Sequence, residues 1–120
     1  MKRLPAPIAA FALLALPALA DAPVIEAASA ARNGGGWTIS VSLRHPDTGW
    51  DHYADGWEVL APDGTSLGLR VLAHPHVDEQ PFTRSLSGVT IRAGLNRVHI
   101  RARCLTDGWS DTLFPLDLDP

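Results

Sequence analysis

Cysteine, lysine and methionine are nearly missing from this 120-residue chain. Cys104 is the only cysteine, so no intramolecular disulfide can form and the fold must rest on its core. Lysine occurs once, at Lys2. Long apolar runs are missing too. Beyond residue 20 nothing approaches the ~18 apolar residues of a membrane-spanning helix. Helical signals are equally scarce: after residue 22 no apolar 3.6 spacing with caps appears. Basic charge is short as well. Residues 21–120 hold eight Arg, no Lys and thirteen acids, a net charge of 8 − 13 = −5 with neutral His. That balance argues against nucleic acid or an anionic membrane surface as partner.

What is present begins with an export signal. Lys2 and Arg3 give a positive start, Ile8 to Leu16 a short apolar stretch, and Ala18-Leu19-Ala20 a small-x-small cleavage site. This is the layout of a secretory signal peptide over 1–20. Pro5, Pro7 and Pro17 break the run and argue against a membrane anchor, and no cysteine follows the cleavage site. Residues 21–120 then make one domain of ordinary size, periplasmic or secreted.

Strand signals fill that domain: alternation, β-branched residues and regularly spaced turn residues. Seven strands are expected, over 23–31, 37–45, 56–61, 66–73, 82–91, 96–104 and 111–118. In 37–45, Trp37, Ile39, Val41 and Leu43 face one side. In 96–104, Val98, Ile100, Ala102 and Cys104 point in, while Arg97, His99, Arg101 and Arg103 point out. "PDGT", 62–65, is a hairpin turn, with Pro62 presetting its dihedral and Gly64 allowing positive φ. The period slips at Ser87-Gly88, which marks a bulge. Seven short strands with turns every 8–12 residues fit an all-β, immunoglobulin-like or fibronectin type III-like sandwich; a small barrel is the alternative.

Successive strands reverse direction, so loops alternate between two ends. Loops 32–35, 62–65 and 92–95 are short turns at one end. Loops 46–55, 74–81 and 105–110 share the other end, and two of the three are long and dense in His, Asp and aromatic residues. Function in a sandwich sits on such loops.

The stretches "DTGWDHYADGWEVLAPDG", 47–64, and "HPHVDEQPFTRSL", 74–86, resemble a family of small exported bacterial domains of unknown function. The resemblance covers residues 40–86. It implies a secreted β-sandwich and carries no activity, substrate or catalytic residue. It also implies a Gly- and His-containing segment near the C-terminus. This chain has Asp107-Gly108-Trp109 there and no histidine.

The histidines are the sharpest candidates for chemistry. His45 and His52 lie at the two sides of loop 46–55; His74 and His76 open loop 74–81. In an extended segment His74 and His76 share a side, and Pro75 keeps His74 extended. They can close on one Cu or Zn ion, with His52, Asp51 or Asp78 completing the set. Against this stands a structural reading. Arg84 beside the acids would make a bidentate pair, and Asp51, His52, Asp78, Glu79 and Arg84 would form a polar clasp, with His74 or His76 left facing solvent. Cys104 falls in the inward register and reads as a small buried hydrophobe; an intermolecular disulfide or a copper ligand is its rival role.

Trp50, Tyr53 and Trp109 fall in the elaborated loops and offer a surface for a partner or ligand. The carboxylates Asp47, Asp51, Asp55, Asp78 and Glu79 read as caps and turn formers, with a small hydrolase as the remote alternative. No nucleophile elbow is present. The expectation is a non-enzymatic, exported binding or accessory module that holds a metal ion or docks another envelope protein.

Overall fold

The computed structural model describes residues 22–119; the expected signal peptide, 1–20, lies outside the described residues. Among the described residues eight strands form: β1 Val24–Asn33, β2 Gly36–Arg44, β3 Ala54–Leu60, β4 Ser66–Val71, β5 Phe82–Val89, β6 Arg97–Cys104, β7 Gly108–Trp109 and β8 Phe114–Asp117. All pairings are antiparallel. One sheet has the order β1-β2-β5. The second runs β4-β3-β6, and β6 then pairs with β7 at its C-terminal end and with β8 along its first half. No described helix is long and apolar enough to cross a membrane.

The expected count of seven strands is therefore corrected to eight. The segment read as the loop 105–110 contains β7, which pairs Cys104 with Gly108 and Arg103 with Trp109. The segment read as one strand over 111–118 begins as loop, and only Phe114–Asp117 pair with β6. The reason is local. Gly108 takes φ +75° and closes a tight turn directly after β6. The chain pairs briefly, leaves the sheet, and returns at Phe114.

The alternating stripes form the core. Ile39, Val41 and Leu43 of β2 are fully buried, as are Trp57 and Val59 of β3 and Val98 and Ile100 of β6. They belong to one apolar cluster contributed by both sheets. Fully burying a side chain of this size is worth about 1.5–3 kcal/mol, so these stripes fix which face of each strand points inward. A slip of one residue would expose them all. The bulge falls where the period slips: Trp37 pairs with Val89 but Ile39 with Leu86, leaving one extra residue at Ser87-Gly88. Gly88 accommodates it at φ +70°.

β2 and β6 end side by side at one end of the molecule, in opposite sheets. Each stripe runs on to its last residue, and there the side chains change from hydrocarbon to polar. His45, the next inward position after Leu43, is 1 % exposed, and Cys104 is fully buried.

Candidate functional site

The site grows from one buried carboxylate. Directly after β2 the chain turns sharply, the Asp47 amide donating to the His45 carbonyl at 2.8 Å. This swings Asp47 inward. Its Oδ1 lies 2.6 Å from His45 Nδ1 and accepts the Ala54 amide at 3.0 Å; its Oδ2 accepts the His76 amide at 2.8 Å. Gln80 completes the frame, accepting from the His45 amide at 2.9 Å and donating to the His76 carbonyl at 2.8 Å. One carboxylate and one carboxamide thus tie the loop after β2, the start of β3 and the loop before β5.

The ring nitrogen that faces a carboxylate carries the proton, which fixes the tautomer. In neutral His45, Nδ1–H donates to Asp47 and Nε2 presents a lone pair. That Nε2 is buried and has no hydrogen-bond partner. The His45 ring also belongs to a small group of metal-type ligands. One ligand atom from each of His45, His52 and Cys104 lies within 4.8 Å of the others. The His45 and His52 rings stand 4.7 Å apart between centroids. A tight turn positions His52, whose amide donates to the Gly49 carbonyl at 3.1 Å while its carbonyl accepts the Thr48 amide at 3.0 Å. Cys104 pairs with Ala54 across β3 and β6, and the next amide, Leu105, donates to Tyr53 at 3.0 Å. Three chain segments therefore deliver two imidazoles and one thiol to one point.

An ion bound in a trigonal plane with bonds of about 2.0–2.3 Å holds its donors about 3.5–4 Å apart. The three groups need to close by only about 1 Å to reach that spacing. An imidazole whose far nitrogen is anchored on a carboxylate is the usual support for a metal-binding histidine. Thiolate with imidazole suits copper and zinc.

The residues expected to hold a metal are placed differently. The His74 and His76 rings do lie together, 4.5 Å apart. His76, however, is buried and stacked flat on Phe82 at 3.9 Å, with its Nε2 2.9 Å from Arg84 Nη2. A guanidinium only donates, so Nε2 is the acceptor and the other nitrogen carries the proton. His76 thus has no lone pair turned outward. His74 is exposed and faces the Pro75 carbonyl at 3.0 Å. Asp51 and Asp78 are exposed. Among the described residues, His52 alone of these five belongs to a three-ligand cluster, and its companions are His45 and Cys104.

Arg84 does hold Glu79, at 3.0 Å. The clasp is nevertheless centred on Asp47, Gln80 and His76 rather than on Asp51 and Asp78. Trp50 is 65 % exposed and meets Tyr53 edge-on at 5.8 Å. Trp109 sits in β7, half-buried under the guanidinium of Arg101 at 4.4 Å, with Arg103 at 5.7 Å. It is a covered strand residue, not part of an open loop.

The sequence points to His45 and Asp47 but places neither in the metal set or the clasp, and it does not point to Gln80. A signal for His45 was available: it is the i+2 continuation of the inward stripe Trp37-Ile39-Val41-Leu43, so the strand carries it into the core.

No protein-family model matches the chain. A protein of Halomicrobium mukohataei named "Putative lipoprotein" is 34 % identical over 101 residues, covering 84 % of this chain and 49 % of that protein. The chain thus spans about half the length of the curated relative it matches. Among solved structures, a hypothetical protein of Pyrococcus horikoshii OT3 superposes with a TM-score of 0.52 at 18 % identity, over 82 % of this chain and 86 % of that one. This likeness shows a shared fold.

Two predictions follow from the geometry around Asp47. Asp47→Ala leaves a ring N–H and two backbone amides buried without acceptors. Stability should fall by about 3–5 kcal/mol in urea titration, and Asp47→Asn should recover part of it. The second concerns pH. Burial, then the nearby charges of Arg84 and His74, hold the His76 pKa below its ordinary 6.5, against the opposing pull of Glu79 and Asp47. Below pH 6.5 the unfolded chain takes up a proton that the folded chain refuses. Stability from neutral His76 is therefore complete above pH 6.5 and is lost as pH falls from there through the lowered folded value. Melting temperature should drop between pH 7 and pH 5, and His76→Gln should flatten that slope.

Proposed function

We propose that this chain is an exported, non-enzymatic binding module that holds one transition-metal ion, copper or zinc, between His45, His52 and Cys104. The observation that carries this reading is the His45 ring. Its Nδ1 is anchored on buried Asp47, its Nε2 is buried and unpartnered, and the residue is grouped with a second imidazole and a thiol, one ligand atom from each within 4.8 Å of the others. A buried lone pair without a donor costs about 1–3 kcal/mol, and a metal ion would satisfy it.

Export is supported by the signal-type start of the sequence and by the name of the Halomicrobium mukohataei relative. The strand order supports the finer fold reading. β4 joins the sheet of β3 and β6 rather than that of β1 and β2, which matches a fibronectin type III-like sandwich better than an immunoglobulin constant-type one.

Calorimetric titration of the purified protein with Cu(II), Zn(II) and Fe(II) tests the site. Copper should bind most tightly and Fe(II) least, following the usual order for a mixed nitrogen and sulfur donor set. Cys104→Ser should weaken binding at least tenfold and remove any visible thiolate-to-Cu(II) band. His74→Ala should leave both unchanged. Absence of binding tighter than about 10 µM would sink the proposal; dependence on His74 but not on Cys104 would move the site to the His-Pro-His loop.

A second reading, a domain that docks another envelope protein, is favoured by one observation. Trp50 and Leu105, at 65 % and 42 % exposure, stand on the two loops that carry His52 and follow Cys104. On this reading Trp50→Ala abolishes capture of the partner by the immobilised protein while Cys104→Ser leaves it intact. Capture that survives Trp50→Ala counts against it.

A further inference from the structure

The arginines are distributed unevenly with respect to their partners. Arg44, Arg84, Arg97, Arg101 and Arg103 each lie beside a carboxylate: Glu26, Glu79, Asp117, Glu58 and Asp55. Among the described residues three arginines have no such ion pair: Arg32, Arg70 and Arg92. In a chain this acidic, guanidinium groups left without carboxylates are conspicuous. Arg70 donates to the Val71 carbonyl at 2.8 Å along its own strand. Arg32 and Arg92 instead both line one cavity.

That cavity has a volume of about 260 Å³ and lies at the end of the sandwich opposite His45 and Cys104. Arg32 stands at the end of β1, and the 91–96 segment and the C-terminal residues Leu118 and Asp119 complete the walls. Its apolar surface comes from Trp37, Ile91, Leu95 and Leu118, which belong to the main core or pack against it. Two backbone bonds keep the walls in place: Leu95 to Arg92 at 3.3 Å, and Leu118 to Asn96 at 2.9 Å. The Arg32 guanidinium lies 5.3 Å from the centre of the Trp37 ring. This is cation–π distance, and it places the guanidinium of the solvent-exposed Arg32 beside a ring that lines the cavity.

The chemistry of the lining selects the ligand. A cavity this size is slightly smaller than those that take drug-sized molecules, so the occupant is small. The walls require an apolar body. Two guanidinium groups require an anion, and their planar forks match a carboxylate or phosphate. Asp119 on the same rim decides between these two. It disfavours a second negative charge on the ligand, and so favours a monoanion over a phosphate dianion. Asp63, whose charge is felt by Arg92, already accepts the Thr65 amide at 2.9 Å in its own turn.

We propose that this cavity is a binding site for a small organic monocarboxylate, its carboxylate held between Arg32 and Arg92 and its apolar body against Trp37. The site is independent of the metal proposed at the other end.

Benzoate serves as the probe, with benzamide as its uncharged isostere and inorganic phosphate as the dianion. Amide and indole NMR spectra of the full chain are recorded through each titration. Benzoate should give saturable shifts at the Trp37 indole and the 92–96 amides, with benzamide and phosphate at least tenfold weaker. Arg32→Gln with Arg92→Gln should weaken benzoate at least tenfold, while Arg70→Gln, outside the cavity, leaves it unchanged. No saturable shift up to about 10 mM benzoate overturns the proposal. So does equal binding of benzamide, which would make the cavity a mere apolar crevice, or of phosphate, which would remove the monocarboxylate selection. The comparison of the three probes uses the unaltered protein, so it decides the matter even if the double variant fails to fold.

Discussion

The carboxylate of Asp47 is the contact on which the functional end of this molecule depends. Burying an ionised carboxylate costs several kcal/mol unless donors surround it. Here a ring N–H and two backbone amides do so, from three separate segments of the chain. The loop after β2 and the loop before β5 have no regular pairing with each other, and Asp47 with Gln80 substitutes for it. The same carboxylate settles the tautomer of His45 and leaves the lone pair on Nε2, in a residue grouped with His52 and Cys104. Structural support and the presentation of a metal-type donor are thus one interaction. A residue that appears in the sequence as an ordinary loop aspartate carries both.

Much of the frame was legible because strand periodicity is a short-range signal. The inward stripes of β2 and β6, the Pro62-Gly64 turn and the bulge at Ser87-Gly88 all follow from residues near one another in sequence. So did the division into a plain end and an elaborated end. The strand count failed at β7, where a two-residue pairing is too short to leave a period, and where the turn at Gly108 mattered more than any propensity. From the sequence, Arg84 is expected to pair with Asp78 or Asp55 in a wider polar clasp; in the structure Arg84 meets Glu79, Asp55 lies beside Arg103, and the bonds converge on Asp47 and Gln80. Asp47 differs from Asp51 in no way that sequence displays. What separates them is the sharp turn at 45–47, which points one inward and leaves the other in water.

The histidines show the same division. His74 and His76 stand side by side, as extended geometry requires. The depth of His76, though, is set by Phe82 beneath it and Arg84 at its edge, side chains that reach it only once β5 has paired. His45 was the more available inference. An alternating strand does not stop at its last hydrophobe, and the next inward position inherits the same burial whatever residue fills it. The inward register of Cys104 was recognised on β6, but nothing in one strand says that the stripe of the other ends opposite it.

Placing two donors at the ends of core stripes has a physical consequence for binding. His45 and Cys104 are held by the backbone pairing and packing of two sheets, so their positions resist displacement. His52 stands on the turn closed by its own bonds to Thr48 and Gly49, outside the main strands. Under the proposed metal role, most of the movement needed to draw the donors together would fall on the loop that carries His52, outside the paired strands. That limits the ordering cost of binding, which in flexible loop sites consumes much of the interaction energy. It also keeps adaptation at one point, since the spacing of His45 and Cys104 is set by the distance between the sheets. On the proposed reading, the width of the sandwich, fixed by side chains such as Leu43 and Ala102 just beneath, would set the size of the ion that the end of the core could hold.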